Sequence, residues 1–425
     1  MNKSLKILFL PKWYPNRFDA LDGIFVVDHA KAAARKNDVF LLFVHSDAAL
    51  SGSKTITYNK SGGFAEMIVY FRSIKTGILF IDRLFTAIRY FSVQFRSYYQ
   101  IKKIWGRPDI THVHVLLRSS ILACWLKKIE NIPYIITEHW TGYDPKSGKK
   151  INPFKKKLLK YIIKKSEAVT TVSGCLQENM KRICKEANYL HISNAIDETI
   201  FCIQPKKPAA IKKLIHVSTL SDHQKNFGKI LQAIAEVSQQ RKDFELHIIG
   251  KGIERKKQME RAQKLNILDR FVFFHGYLPK QEVAQMIATS DLMIMFSKFE
   301  NQPCVILESL LCGVPVLASD IEGTNEMINE KNGIRVVPND MQMLQNTILS
   351  FLSEKPTFNA AEIRKNALIY GYETVAEKLS ALYSSVKKQQ AKKISRQSPA
   401  PPPRQAIPDM HTAASSAEVQ SPPPV

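Results

Sequence analysis

The stretch Ser297-Lys-Phe-Glu-Asn-Gln-Pro-Cys-Val-Ile-Leu-Glu-Ser-Leu-Leu-Cys-Gly-Val-Pro-Val-Leu-Ala-Ser319 follows an apolar run that ends at Phe296. The apolar run predicts a buried strand. Proline is favoured at the first position of a helix, so we expect a helix to begin at Pro303, with Asn301 and Gln302 capping it. A glycine-containing turn and a second apolar run come next. The order is therefore strand, tight loop, helix, turn and buried strand.

Two carboxylates in this stretch are eight residues apart. Glu300 lies in the predicted loop, and Glu308 lies about two turns into the predicted helix. The start of a helix presents unpaired backbone N–H groups and the positive end of the helix dipole, and both attract anions. This arrangement suits a ligand with a phosphate and with hydroxyl groups on either side. A nucleotide sugar is such a ligand.

Short apolar runs alternate with helical patterns along most of the chain. Buried parallel strands read as continuous apolar runs, and their alternation with helices predicts α/β domains with doubly wound sheets. The predicted strands are Lys6–Leu10, Val39–His45, Met67–Phe71, Ile110–Val115, Tyr134–His139, Ala168–Ser173, Leu214–Thr219, Glu245–Gly250, Phe271–Gly276, Leu292–Ser297, Val314–Ser319 and Gly333–Val337.

The alternation restarts after a polar, proline-containing stretch at 205–213, where we place an interdomain linker. We expect two Rossmann-like domains, at 1–204 and 214–365, with the carboxyl ends of their strands around a shared cleft. Apolar residues at helical spacing predict a final helix within 366–386 that packs back. The tail at 387–425 is rich in proline, alanine, serine and glutamine, which predicts disorder.

Composition limits the class of protein and of partner. The 425 residues suffice for two sizeable cores, and the net charge of +23 favours an anionic partner. Six scattered cysteines lack the paired spacing of a zinc site, so we expect reduced thiols in a cytoplasmic protein. The N-terminus lacks the apolar run of a signal peptide. No uncharged apolar window is long enough to predict a membrane span.

The sequence resembles glycosyltransferase family 4, the retaining, nucleotide-sugar-dependent enzymes with the GT-B fold, over roughly residues 5 to 386. The most specific part is Glu300 to Glu308 with its Gly-x-Pro continuation, which is similar to the family's Glu-x7-Glu motif. Further pieces occur in the family's order: Asp22-Gly-Ile-Phe, Thr137-Glu-His-Trp, Val172-Ser, Ser193-Asn-Ala-Ile-Asp197, Val217-Ser-Thr-Leu220, Lys225-Asn-Phe, Ile249-Gly-Lys-Gly252 and Phe274-His-Gly-Tyr.

The resemblance implies a role for each matching residue. It places Glu300 near the hydroxyls of the donor sugar, Glu308 on the ribose, and Lys225 at the diphosphate. His139 would face the sugar, and Gly23 would let the backbone approach the phosphates or sugar, where a side chain would block the cleft. The remaining donor-binding residues would be Asn301, Gln302, Pro303, Cys304 and Val305 at the helix start and, in a tight turn beside the nucleobase, Gly250 and Gly252.

One position departs from the family pattern. Gly-Arg-Leu is usual where this chain has Ser218-Thr219-Leu220, and that arginine normally forms a fork to the diphosphate. Because Thr219 carries no charge, another cation would have to compensate. The candidates are His223, Lys229 and Lys251.

The resemblance implies retaining transfer from a UDP- or GDP-sugar to a glycan, such as a lipid-linked polysaccharide or lipopolysaccharide, without a covalent enzyme intermediate. The chain contains no Asp-x-Asp motif, so we expect no metal ion or other cofactor, with lysine in place of the divalent cation. A nucleotide-sugar epimerase of the same fold and a non-catalytic nucleotide-binding scaffold stay open as alternatives. The presence of both Glu300 and Glu308 argues against the scaffold.

Two basic segments leave the nature of one surface open. Segment 146–165 has nine lysines and no acid, and segment 72–107 has eight cations and one acid. The default interpretation of the second is a core-facing helix with a solvated basic face. The alternative is a peripheral contact with an anionic membrane, which would suit a lipid-linked acceptor. The apolar stripe of the predicted helix in segment 72–107 consists of Phe80, Leu84, Ile88, Phe91, Phe95 and Tyr98.

No nucleic-acid-binding module accompanies the positive charge, so we expect no nucleic-acid partner.

Overall fold

The computed structural model describes residues 4–206, 209–353 and 358–397, which form two α/β lobes. The strands of the N-terminal lobe are β1 Lys6–Pro11, β2 Asp38–Asp47, β3 Lys54–Ser61, β4 Phe64–Arg72, β5 Ile110–His114, β6 Tyr134–Glu138, β7 Ala168–Thr171 and β8 Tyr189–His191. Its helices are α1 Ile24–Ala34, α2 Leu79–Ile104, α3 Arg118–Ile129, α4 Pro153–Lys165 and α5 Gly174–Lys181, with 3-10 turns at Thr141–Tyr143 and Pro145–Ser147.

The second lobe repeats the alternation. Its strands are β9 Lys212–Val217, β10 Phe244–Ile249, β11 Val272–Gly276, β12 Leu292–Met295, β13 Val316–Ser319 and β14 Gly333–Val336. Its helices are α6 Asp222–Lys225, α7 Phe227–Gln240, α8 Arg255–Lys264, α9 Lys280–Ala288, α10 Cys304–Leu311, α11 Glu322–Asn325, α12 Met341–Ser353 and α13 Ala360–Ala367. A 3-10 turn at Leu368–Tyr370 then leads to α14 Tyr372–Gln397.

Each lobe is built on a largely parallel sheet. The strand order is β3-β4-β2-β1-β5-β6-β7-β8 in the first sheet, where only the β3–β4 pair is antiparallel, and β11-β10-β9-β12-β13-β14 in the second. In both sheets the order reverses beside the first strand of the lobe, at β1/β5 and at β9/β12. Ligands of doubly wound sheets bind at the carboxyl ends of strands at such a reversal.

The predicted fold class is confirmed, and every predicted strand is present. Two strands were missed, β3 and β8. Both lie at edges of the first sheet and are largely exposed, so neither contains the apolar run that identifies a buried strand. β9 begins at Lys212, inside the predicted linker 205–213, of which residues 207 and 208 lie outside the described part of the chain.

The last helix begins within the predicted range but ends later than predicted. α14 starts at Tyr372, returns to the first lobe and packs its apolar face against α1 and the sheet core. It continues to Gln397, so the predicted disorder is wrong for 387–397. Ion pairs of Lys387 with Asp109 (3.3 Å) and of Lys393 with Glu167 (3.0 Å) hold this extension against the lobe. Residues 398–425 lie outside the described residues.

Helix α2 corrects a second expectation. The predicted core-facing stripe packs only from Phe91 onward: Phe91 lies against the lobe core, Tyr98 and Ile101 are fully buried, and Phe95 meets Trp125. In the first half, the side chain of Phe80 is 76 % exposed. The helical period was right, but the lobe does not extend far enough to cover this end.

Among the helices that the structure describes, none is both long and apolar enough to cross a bilayer.

Candidate functional site

A cavity of roughly 480 Å³ lies between the two lobes, at the carboxyl ends of their strands. From the first lobe it is lined by the start of α1 and by the loop after β6. From the second lobe it is lined by the loops after β9, β10 and β12 and by the start of α10. The sheets therefore direct loops from both halves of the chain to one place, as the doubly wound pattern predicts.

Glu300 and Lys225 form an ion pair inside this cavity. The Lys225 Nζ lies 2.5 Å from the Glu300 Oε1, and the two side chains are 12 % and 6 % exposed. The amide of Gln224 donates to the other carboxylate oxygen at 3.2 Å. Lys225 ends the short helix α6 after β9, and Glu300 lies in the loop after β12. These strands are neighbours in the sheet, which explains why residues 75 positions apart meet.

The second carboxylate, Glu308, lies on α10 and faces the same cavity. Burial, opposed by the Lys280 ammonium, raises the pKa of Glu308 to about 7. The Lys280 Nζ in turn pairs with the Asp28 Oδ1 of the first lobe at 2.7 Å, and the Tyr372 hydroxyl donates to the same carboxylate. Burial acts to lower the pKa of Lys280, but Asp28, with Glu308 and Asp197, raises it above its ordinary value.

The start of α10 differs from the prediction. The helix begins at Cys304, and Pro303 is the preceding residue, with extended backbone angles. Asn301 and Gln302 do not cap it. The Asn301 amide donates to the His139 carbonyl at 2.9 Å, and the Gln302 Oε1 accepts from the backbone N–H of Asn194 at 2.6 Å. Both side chains therefore join the lobes beside the cavity, and the lining includes both residues and the next three, Pro303, Cys304 and Val305.

Gly250 and Gly252 make the turn between β10 and α8 possible. A Cβ on Gly250 would lie 1.8 Å from the Ser218 carbonyl oxygen, and one on Gly252 would lie 2.0 Å from the Thr219 carbonyl oxygen. The φ angle of Gly250 is +146°. The turn can therefore pack directly on the loop after β9. Gly250 lines the cavity together with Ser218 and Thr219.

Gly23 meets a local requirement of the fold, and the role implied by the resemblance stays a prediction. Its φ angle is +64°, and a Cβ there would lie 2.3 Å from the carbonyl oxygen of Trp13. The side chain would thus collide with the neighbouring loop, whereas the following residues Ile24 and Phe25 line the cavity. The glycine fixes how α1 enters the site.

His139 lies in the cavity wall within a group of buried imidazoles. Its Nε2 is 3.3 Å from the His114 Nδ1, and its ring centroid is 4.3 Å from that of Phe25 and 5.3 Å from that of His29. Burial lowers the pKa of His139 well below its ordinary value, and the neighbouring His29 acts in the same direction. His139 is therefore a neutral hydrogen-bonding group at neutral pH.

The carboxylate of Glu138 holds the turn that presents His139. It accepts the backbone N–H groups of Leu116 (3.1 Å), His139 (2.9 Å) and Trp140 (3.0 Å), and the Tyr143 hydroxyl at 3.1 Å. Sequence reasoning gave no role to Glu138, although it lies inside the Thr137-Glu-His-Trp motif. The sequence signal for Glu138 is a carboxylate at the end of an apolar strand, where the chain is buried.

Of the three cations considered as substitutes for the missing arginine, only Lys251 lines the cavity. Its Nζ pairs with the Asp19 Oδ1 of the first lobe at 2.9 Å, in an exposed position. Lys229 instead donates to the Asn339 carbonyl, and the His223 ring packs on Phe299. Sequence reasoning also missed Lys280, which follows the Phe274-His-Gly-Tyr motif closely in the chain and begins α9.

A second cavity of roughly 940 Å³ lies in the first lobe, next to this site. Its lining mixes cations with aromatic rings and includes Lys12, Trp13, Arg83, Tyr90 and Arg118. The Trp13 ring contacts Phe25 with centroids 6.5 Å apart, and Phe25 contacts His139 in the first cavity. The loop before α1 contributes to both cavities, since Asp22 lines the second and Leu21 lines the first.

Within the described ranges, no group of three or more histidine, cysteine, aspartate or glutamate side chains has the geometry to hold a metal ion. The expectation of a metal-independent site stays a prediction. The cationic groups that face the cavity are those of Lys225, Lys251 and Lys280.

Comparison with known proteins agrees with this architecture. Residues 23–199 match the family described as Glycosyltransferase Family 4, and residues 197–373 match Glycosyl transferases group 1. An N-acetyl-alpha-D-glucosaminyl L-malate synthase of Bacillus anthracis is 31% identical over 232 residues, which are 52% of this chain and 58% of that protein. The chain thus spans less than two thirds of that relative.

Two solved structures show the same fold. Sucrose-phosphate synthase from Thermosynechococcus elongatus superposes with a TM-score of 0.72 at 19% identity, over 91% of this chain and 100% of that one. HepE of Anabaena in complex with UDP-glucose gives a TM-score of 0.65 at 17% identity, over 90% and 100% of the two chains. With the two-lobed fold and the matches along both lobes, the chain belongs to the family 4 glycosyltransferases, which have the GT-B fold.

Proposed function

We propose that this protein is a retaining glycosyltransferase that moves a sugar from a nucleotide-sugar donor to a hydroxyl group of a glycan acceptor. The observation that carries the proposal is the grouping of Glu300, Glu308 and Lys225 around one cavity at the start of α10. The structure of HepE with UDP-glucose supports a UDP-sugar as the first donor to test. The acceptor we propose is a glycan or a lipid-linked glycan, of the polysaccharide or lipopolysaccharide kind.

The cation and the helix start would hold the diphosphate. Negative charge grows on the leaving oxygen as the bond to the sugar breaks, so preorganised positive groups there lower the barrier. Lys225 is the cation best placed for this role, since it already faces the cavity beside the first turn of α10. To do so it exchanges the Glu300 carboxylate for a phosphate. Lys251 and Lys280 lie on the same cavity and add positive potential.

The two carboxylates would bind hydroxyl groups. Once the diphosphate has taken Lys225, Glu300 is available to accept hydrogen bonds from the donor sugar and to stabilise positive charge at its anomeric carbon. Glu308, about one turn into α10, would accept hydrogen bonds from the ribose. Neutral His139, across the cavity, would contact the sugar from the first lobe.

The transfer step we propose uses one face of the sugar. The anomeric carbon–oxygen bond to the diphosphate breaks, and the acceptor oxygen forms its bond to that carbon from the side on which the diphosphate leaves. The proton of the acceptor hydroxyl passes to an oxygen of the leaving diphosphate. Configuration is retained without a covalent enzyme intermediate. The acceptor would enter from the second cavity, next to Trp13 and Phe25.

Calorimetric titration of the purified protein with UDP, GDP and ADP, without metal, tests the donor site. We expect selective binding of UDP by the wild type and weaker binding by Glu308→Ala. No binding of any nucleotide would contradict the proposal. A nucleotide sugar that is converted to its epimer without an acceptor would show an epimerase instead.

Metal independence has its own test. We expect EDTA to leave sugar transfer unchanged, because lysine side chains provide the positive charge at the diphosphate. Transfer would be measured with and without EDTA after the donor has been identified. Loss of activity that added Mg²⁺ or Mn²⁺ restores would contradict this part of the proposal.

A further inference from the structure

The first half of helix α2 presents an uncovered apolar surface, which we call the α2 apolar face. Six large apolar side chains within eleven consecutive positions are between 45 % and 76 % exposed. Together they expose on the order of several hundred Å², as much as the largest apolar patch of a typical soluble monomer, and such patches often mark interaction sites. The residues are Ile78, Leu79, Phe80, Leu84, Phe85 and Ile88.

This surface continues a stripe that is used for packing elsewhere in the same helix. Phe80, Leu84 and Ile88 have the helical spacing of the residues that seat the second half of α2, where Tyr98 is buried and Phe95 packs on Trp125. One apolar face thus serves the lobe core at one end and is uncovered at the other. In the described residues, no element covers the first end.

Positive charge borders the α2 apolar face. Lys75, just before α2, and Arg83, within it, are exposed and both line the second cavity next to this face. The acid in this segment, Asp82, is occupied locally, because it accepts the Thr76 N–H at 2.5 Å and the Thr76 hydroxyl at 2.6 Å. An apolar helix face with cations at its border is typical of helices that lie in the surface of an anionic bilayer.

Helix α4 adds positive charge near the second cavity, the one of roughly 940 Å³ in the first lobe. The Lys155 Nζ lies 4.8 Å from the Trp140 ring, and the Lys12 Nζ lies 5.5 Å from that ring. Lys12 and Arg83 both line the second cavity, and Lys155 of α4 lies beside Lys12 on the Trp140 side. At the start of α4, Phe154 is 80 % exposed among lysines. The cations that line the cavity itself are Lys12, Lys75, Arg83 and Arg118.

We infer that the α2 apolar face inserts into the surface of an anionic lipid bilayer, with the cations of α2 and α4 on the phosphate headgroups. A second copy of the chain is a poorer partner, because pairing two such faces would bring their cationic borders together. Docking in this way places the second cavity at the membrane surface. An amphiphilic acceptor could then reach the cavity without leaving the bilayer.

Vesicle sedimentation with the full chain tests this inference without any donor or acceptor. We expect the wild type to bind vesicles of phosphatidylcholine and phosphatidylglycerol in about equal parts, to bind pure phosphatidylcholine far less, and to be released by salt. The triple variant Phe80→Ser/Leu84→Ser/Ile88→Ser should lose roughly tenfold or more of its vesicle partition.

A matched control separates the α2 apolar face from general surface hydrophobicity. The variant Ile104→Ser/Ile129→Ser/Ile369→Ser removes three apolar side chains of similar exposure (62 %, 59 % and 51 %) and should bind vesicles like the wild type. UDP titration and thermal melting of both variants show whether the fold is kept. Undiminished vesicle binding by the α2 variant, or no binding by the wild type, would overturn the inference. Lipid-independent dimers that the α2 variant abolishes would overturn it in favour of a second copy.

Discussion

Two buried ion pairs lie at the cavity. Lys225 pairs with Glu300, and Lys280 pairs with Asp28, each within 2.7 Å. A diphosphate and its sugar offer replacements for the partners of the first pair: phosphate for Lys225 and hydroxyl groups for Glu300. In the proposed function, donor binding would exchange one buried ion pair for another, which would limit the desolvation that binding requires.

This exchange predicts opposite effects for the two members of the pair. Lys225→Met removes the cation and should weaken UDP binding by about tenfold or more, since hydrogen bonds to charged groups contribute about 1.5–3 kcal/mol. Glu300→Gln leaves the cation and should bind UDP at least as tightly as the wild type, but lower the turnover number by about a hundredfold or more.

Calorimetry and steady-state kinetics with the identified donor check both expectations. Lys229→Met is the matched control, because that lysine follows closely in the chain but donates to the Asn339 carbonyl away from the cavity. Equal losses of UDP affinity in the Lys225 and Glu300 variants would show that the pair acts only as a structural unit.

Glu308 should make the stability of the protein depend on pH. Its pKa is raised to about 7 in the folded protein, from an ordinary value near 4.5. Between about pH 4.5 and about pH 7, Glu308 is protonated in the folded protein and ionised in the unfolded chain. The contribution of Glu308 to the free energy of unfolding is therefore fully present below about pH 4.5 and is lost as the pH rises through about 7. Glu308→Gln should remove that part of the dependence.

Urea unfolding between about pH 5 and about pH 8 measures the effect as a change in the free energy of unfolding. The exposed Glu282, replaced by glutamine, provides the control. The interpretation fails if the free energy of unfolding of Glu308→Gln falls with pH as steeply as that of the wild type.

At the scale of elements, the loops after β9 and β10 depend on each other. The turn of Gly250 and Gly252 rests on the backbone of Ser218 and Thr219, and both loops line the cavity. The position where the family usually has arginine is thus part of a tightly packed backbone contact. The contact also explains why glycine is required at positions 250 and 252, where any Cβ would collide with this backbone.

A methyl group at this contact should be costly. Gly250→Ala places a Cβ against the Ser218 carbonyl oxygen, and we expect it to lower the free energy of unfolding by about 2–4 kcal/mol and to weaken nucleotide binding. Gly52→Ala, where a Cβ meets no atom within 4 Å, should change the free energy by less than about 0.5 kcal/mol. Urea unfolding of both variants decides the matter, and equal stability would contradict the predicted clash.

At the scale of the whole molecule, the chain crosses between the lobes twice. The second crossing leads to α14, whose side chains Val375, Leu379 and Tyr383 are buried in the core of the first lobe. The Tyr383 hydroxyl lies 2.8 Å from the His112 Nδ1, beneath the imidazole group of the site. A C-terminal helix therefore forms part of the support of the N-terminal half of the site.

Loss of this packing should destabilise the first lobe. Leu379→Ala leaves a cavity in a fully buried position and should lower the free energy of unfolding by about 2–5 kcal/mol. Lys378→Ala, at the exposed neighbouring position, should lie within about 0.5 kcal/mol of the wild type. Similar urea midpoints for the two variants would show that α14 does not contribute to the stability of the lobe.

The sequence by itself determined the two-lobed α/β fold and the main acids of the site. Parallel strands buried on both faces are apolar throughout, so each appears in the sequence as a continuous apolar run. The exposed edge strands β3 and β8 contain no such run. Glu300 and Glu308 lie on one loop and one helix. Their placement follows from local structure, which neighbouring residues encode.

Only the tertiary structure decided which distant groups meet and which faces are covered. Lys280 and Asp28 are 252 residues apart, and no local pattern relates them. Asn301 and Gln302 suit a helix cap by type, but contacts with the other lobe bind them instead. The helical period showed that α2 has an apolar face. Whether other parts of the molecule cover that face depends on where the lobe ends in space, and periodicity carries no information about that.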